Sequence, residues 1–157
     1  MKKRNIILLT AGLVPIITGL LCNTMFMPVP GISTFLMICG PLIWLAVCIA
    51  AADRKGKVFT QSLLLFAVGI VMIVAYVCYQ AFWIEQLGIT SPLNTLPQYY
   101  LTNCVLLAGR IYGLFEPAVW TSGPMLAISA VLTCLITFAG VFVKTRFKNV
   151  EDIQAAR

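Results

Sequence analysis

Four side chains in one segment of this chain have types that could do chemistry together: Tyr99, Tyr100, Arg110 and Glu116. An arginine presents a planar fork of donors that suits a phosphate or a carboxylate. A glutamate six residues on could supply acid/base work, and two tyrosines could orient a substrate. The competing reading is that Arg110 anchors its segment to lipid phosphates and pairs with a nearby carboxylate, since arginine and aromatic residues are usual interfacial anchors. A second constellation is made of thiols. Of the six cysteines, Cys22 and Cys104 both fall toward the same predicted surface, where a Cys22–Cys104 disulfide could tether the segment. No two cysteines form a CxxC pair, so neither a dithiol redox motif nor a zinc knuckle is signalled.

The chain contains no histidine, which removes the usual acid/base group near neutral pH and most zinc sites. No metal site and no cofactor is expected, and no glycine-rich phosphate loop is present. The stretch Ala108-Gly109-Arg110-Ile111-Tyr112 resembles the arginine–tyrosine pairs of some four-helix membrane enzymes of eicosanoid and glutathione metabolism. The asparagine and glutamate residues that accompany the pair there have no counterpart in the earlier spans, so no site residue follows from the likeness.

The elements that must position these residues are dictated by composition. Of 157 residues, 61% are hydrophobic and 10% charged, whereas a soluble domain carries about 25% charged residues. The solvent is therefore mostly lipid, which excludes a disordered tail, a repeat solenoid and an ordinary water-soluble enzyme. Charge is absent from Asn5 to Ala52, a stretch long enough for two crossings, and Met27-Pro28-Val29-Pro30-Gly31 breaks it. The predicted spans are residues 6–26, 33–52, 58–82 and 124–143, with Pro15 kinking the first and Pro41 acting similarly in the second. A cluster of Tyr76, Tyr79, Phe82 and Trp83 reads as a headgroup belt. The first span is too long for a cleaved leader and is expected to stay.

Orientation follows from the cations. Four crossings put Lys2, Lys3, Arg4, Arg54, Lys55, Lys57, Lys144, Arg146, Lys148 and Arg157 on one side, and only Arg110 on the other. That bias assigns both termini and the charged linker to the cytoplasmic side of a cell inner membrane. It also speaks against nucleic acid as a partner, because the cations fringe apolar runs and no polar face carries them. The outer segment, residues 84–123, is read as loop over Gly88–Pro97. Tyr99–Phe115 is read as an interfacial or re-entrant helix, because a fifth crossing would spoil the charge bias. The tail Asn149–Arg157 is expected to fray.

Within the spans, Ser129, Thr133, Thr137 and Gly140 form a stripe of small residues suited to close helix packing in lipid. It would serve either within one monomer or as a homo-oligomer seam. No Asp, Glu, Lys or Arg sits mid-span, which weighs against an ion-coupled transporter. The expected fold is thus an all-α membrane bundle of four transmembrane helices forming one domain. The first functional expectation is a non-enzymatic accessory protein whose partners are the bilayer and another membrane protein or a second copy. The alternatives are a small oligomeric pore or transporter, and an outer-leaflet lipid or thiol enzyme.

Overall fold

The computed structural model describes residues 3–21, 30–82, 92–115 and 122–155. Among them every regular element is a helix: α1 (Lys3–Ala11), α2 (Val14–Leu21), α3 (Pro30–Ala51), α4 (Val58–Phe82), α5 (Pro92–Thr102), α6 (Val105–Gly113) and α7 (Ser122–Ala155). Three stretches are long and apolar enough to cross a bilayer: Lys3–Leu21, Val58–Tyr79 and Gly123–Arg146. Beside them runs α3, 22 residues long, whose described apolar part, Ile38–Ala51, is shorter.

The break between α1 and α2 has a local cause. Proline has no N–H and its ring crowds the carbonyl four residues earlier, here that of Ala11. The chain responds with tighter turns before Pro15: the Leu13 amide bonds the Thr10 carbonyl at 3.1 Å, and the Ile16 amide bonds Leu13 at 3.0 Å. In α3, by contrast, Pro41 is carried inside an unbroken helix.

Packing aligns the rods. Leu8 of α1, Trp44 and Cys48 of α3, Leu65 of α4 and Val141 of α7 meet in one buried cluster with Ala52. The N-terminal end of α1, the α3–α4 linker and the C-terminal half of α7 therefore lie at the same end of the bundle. There Arg4 pairs with Asp53 across 49 residues of sequence. The linker itself is closed by Gln61, which is buried. Its side-chain nitrogen donates to the Asp53 carbonyl at 3.0 Å, and its oxygen accepts from the Asp53 amide at 2.6 Å.

Three expectations are corrected. The stretch read as loop over Gly88–Pro97 is helical from Pro92 onward, with Pro97 buried inside α5. A proline is well placed at a first helical position, as Pro92 is, and one further proline can be carried where neighbours hold the freed backbone. The tail does not fray early: α7 continues to Ala155, and no proline or glycine follows Gly140 to stop it. Tyr79, read as part of a headgroup belt, is fully buried among the helices.

The Asp53 carboxylate is held below its ordinary range, first by the Lys55 amide that donates to it at 3.1 Å and then by the Arg4 charge. A depressed carboxylate stabilises the fold above its unfolded pKa of 3.8, and that contribution is lost as pH falls through the lower folded value. Unfolding of the detergent-solubilised chain followed from pH 7 to pH 2 tests this. The wild type should lose stability below about pH 4 more steeply than Asp53→Asn, and the exposed position keeps the difference small.

Candidate functional site

The segment that carries the candidate residues is folded into the bundle. Helix α5 packs against α2, α4 and α7, while α6 packs against α3 and α7. Tyr100, Leu101, Cys104 and Ala108 are all fully buried or nearly so. Between the two helices the chain breaks at Asn103–Cys104, with Cys104 at φ −114° and ψ 7°. This bridge conformation is sparsely used and marks turns and special positions.

The break is surrounded by residues small enough to let backbone touch backbone. A Cβ added to Gly19 would lie 1.7 Å from the Tyr99 carbonyl oxygen, and one on Gly40 would lie 2.8 Å from the Asn103 carbonyl oxygen. On the third side, a Cβ on Gly69 would lie 2.5 Å from the Tyr100 hydroxyl, so the phenol rests directly on the α4 backbone. Only glycine fits at these three points. They lie in α2 and near the middles of α3 and α4, so α5 ends at mid-depth.

Ending there leaves the last carbonyls of α5 without intrahelical partners. Ser129 of α7 donates its hydroxyl to one of them, that of Leu101. Thr18 of α2 lies 2.9 Å from the side-chain oxygen of Asn103, and 3.2 and 3.1 Å from the carbonyls of Val14 and Pro15. A hydroxyl has one proton. Turning the Asn103 amide over lets its nitrogen donate to Thr18 while Thr18 donates to its own helix. That orientation also supplies a partner for the buried Asn103 Nδ2. The Tyr100 hydroxyl is buried with no hydrogen-bond partner among the described residues.

The stripe on α7 is the wall against which this segment rests. Ser129, Thr133 and Thr137 are fully buried, and each bonds within the chain: Thr133 to the Ser129 carbonyl at 2.8 Å, Thr137 to the Thr133 carbonyl at 2.7 Å. The Trp44 indole donates to the Thr137 hydroxyl at 3.0 Å, and the Cys104 thiol bonds Thr133. A Cβ on Gly140 would lie 2.7 Å from Cys48 Cβ, which brings α3 and α7 into close approach.

Of the residues singled out from sequence, Arg110 is exposed in the last turn of α6, where a cation suits the helix dipole. Tyr100 is fully buried and Tyr99 is partly buried, with its carbonyl against α2. Tyr100 and Arg110 therefore do not present a common surface. Glu116 and Cys22 lie outside the described residues. Cys104 is a free, buried thiol, and among the described residues no group of side chains is arranged to hold a metal. Sequence reasoning missed Gly19, Gly40, Gly69 and Trp44, and placed Asn103 among the polar residues of the outer segment without giving it a role. The one available signal was Asn103 itself, a polar amide inside an apolar helix pattern.

Comparison with other proteins adds no family. No family model, no curated protein and no solved structure matches this chain. The site must be read from its own geometry.

Three substitutions test that geometry. Gly19→Ala places a methyl into the Tyr99 carbonyl and should lower stability by the ~1–3 kcal/mol of an overpacked core or more. Gly113→Ala, where nothing lies within 4 Å, should leave thermal unfolding in detergent unchanged or slightly raised. Tyr100→Phe removes a buried hydroxyl that has no partner, so its melting temperature should equal or exceed that of the wild type. A clear loss of stability would mean that the hydroxyl is bonded.

Proposed function

We propose that this chain is a four-span protein of a cell's cytoplasmic membrane that acts as a non-enzymatic accessory partner of another membrane protein. In this reading the linker end faces the cytoplasm, and α5–α6 form a re-entrant pair of half-helices entering from the opposite side. The convergence of Arg4, the Asp53–Lys57 linker and the end of α7 at one end of the bundle supports the orientation, because cations gather on the cytoplasmic side. Re-entry accords with the depth of the Asn103–Cys104 break. Irregular backbone at that depth is tolerated only when enclosed by protein.

The observation that carries the accessory role is the use made of the interior hydroxyls. Ser129 and Thr18 reach across to Leu101 and Asn103, Thr137 accepts from Trp44, and Thr133 meets Cys104, so each ties its helix to a neighbour. What the chain offers outward is a set of large apolar side chains. The most exposed are Leu114 and Phe115, at 82% and 78%, directly after α6 and close in sequence to Arg110. An exposed apolar pair beside a cation at the end of a rigid insert suits contact with a second membrane protein.

A small oligomeric pore is the second reading. It is favoured by the mid-depth break together with the unpartnered Tyr100 hydroxyl, since broken helices recur where solutes are bound in membranes. Two experiments separate the readings. Alkaline phosphatase fused after Arg157 should be inactive, and fused within residues 84–91 active. Purification in mild detergent should then recover a stoichiometric companion whose retention falls in Leu114→Ser/Phe115→Ser. A chain that purifies alone and makes liposomes leaky would replace the accessory reading with the pore.

A further inference from the structure

At the linker end, α4 and α7 diverge enough to leave an apolar groove of about 120 Å³, lined by Phe59, Ser62, Leu63, Phe66, Cys134 and Phe138. Its one oxygen-bearing side chain is Ser62. That hydroxyl is buried and has no hydrogen-bond partner among the described residues, although a serine in a helix can ordinarily bond a carbonyl of its own preceding turn. An unbonded donor in an apolar wall calls for an acceptor from outside the chain.

Toward the cationic end, the groove continues as a ladder on α7. Phe138 stacks on Phe142, with centroids 6.4 Å apart and planes at 15°. The Arg146 guanidinium lies over the Phe142 ring, 5.2 Å from its centroid. Side chains lean toward the N-terminus of their helix. This one accordingly folds back over Phe142, one ring beyond Phe138 and the groove. Order along the bundle is therefore cation, aromatic ladder, hydroxyl, apolar trough.

A glycerophospholipid has the same order: phosphate, a short glycerol link, an ester carbonyl, an acyl chain. We propose that this groove binds one anionic glycerophospholipid of the leaflet at the linker end. Arg146 takes the phosphate, Ser62 donates to an acyl ester carbonyl, and the chain lies along Leu63, Phe66, Cys134 and Phe138. An ester carbonyl accepts and cannot donate, which is what the Ser62 hydroxyl lacks. The preference for an anionic lipid comes from charge complementarity, since Lys55, Lys57, Lys144 and Arg146 gather at this end while the linker acid Asp53 is already engaged by Arg4. The inference rests on the chain being embedded in a membrane and is independent of the accessory role.

Native mass spectrometry of the full chain in mild detergent tests it, with phosphatidylglycerol and phosphatidylcholine of matched acyl chains as probes. One phosphatidylglycerol adduct should persist where phosphatidylcholine does not. Arg146→Gln should reduce it about five-fold, the factor one surface cation contributes toward an anionic headgroup. Ser62→Ala should reduce it without lowering the melting temperature of the lipid-free protein. In the wild type, phosphatidylglycerol should slow maleimide labelling of Cys134, mapped by peptide, and leave exposed Cys78 unaffected. Equal adducts with both lipids, wild-type binding by both variants, or Cys134 protection that depends on protein concentration and marks a second copy in the groove would each overturn the assignment.

Discussion

A helix that stops inside an apolar bundle leaves carbonyls that water cannot reach, and α5 stops in this way at Thr102. Everything around the stop answers that one constraint. A buried backbone oxygen without a partner costs on the order of 1–3 kcal/mol, so the neighbours must either donate to it or approach it closely. Ser129 donates, and Gly19 and Gly40 approach. The glycines also explain why α2 and α3 can lie where they do: with side chains at those positions, α5 would be pushed outward and the Ser129 bond would be lost. Helix association in an apolar medium gains little from the hydrophobic effect and depends on close packing and hydrogen bonds. The break therefore organises the bundle as well as interrupting it.

Helix α7 makes this possible by having two faces of different chemistry. Ser129 to Gly140 is eleven residues, or three turns to within about 20°, so the small residues stay on one line over that length. The line faces α3, α5 and α6. The opposite line, Val131, Leu135, Phe138 and Phe142, is exposed and apolar. The inward hydroxyls bond their own helix as well as their neighbours, which lets the polar stripe sit in an apolar interior without leaving donors free.

Local pattern made much of the frame legible. Continuous apolarity bounded by the charged linker and by aromatics gave the limits 58–82, which are those of α4. Pro15 marked the α1–α2 break, and the four-residue spacing of hydroxyls marked the inward face of α7. What was not legible depends on contacts between distant residues. Thr18 meets Asn103 across 85 residues and Trp44 meets Thr137 across 93; no window of sequence contains either pair. The helix at 92–102 was hidden by its own prolines, which are loop signals in water but are carried in helices whose backbone is enclosed. Gln61 was overlooked because a glutamine one turn inside a helix is inexpensive when exposed, and its burial follows only from the shape of the linker it closes.

The candidate chemistry divides by depth for the same physical reason. In the middle of the bundle Thr18, Asn103, Ser129 and Thr133 are bonded to neighbouring groups and committed to the fold, so a change in any one alters packing first; the Tyr100 hydroxyl is the exception among the described residues. Exposed cations stand in two places, Arg110 in the last turn of α6, and Lys55, Lys57 and Arg146 at the linker end. Selective contacts with anything outside the chain must therefore be made at these places, by a cation placed beside apolar surface. Both have that combination, Arg110 with Leu114 and Phe115, and Arg146 with the Phe138–Phe142 ladder. In the proposed reading the first, an exposed apolar pair at the end of a helix, takes a protein, and the second, a trough with the Ser62 hydroxyl in its wall, takes a lipid. Because the interior is closed around Asn103, each can be altered with its cation and hydroxyl substitutions while the helices stay in place.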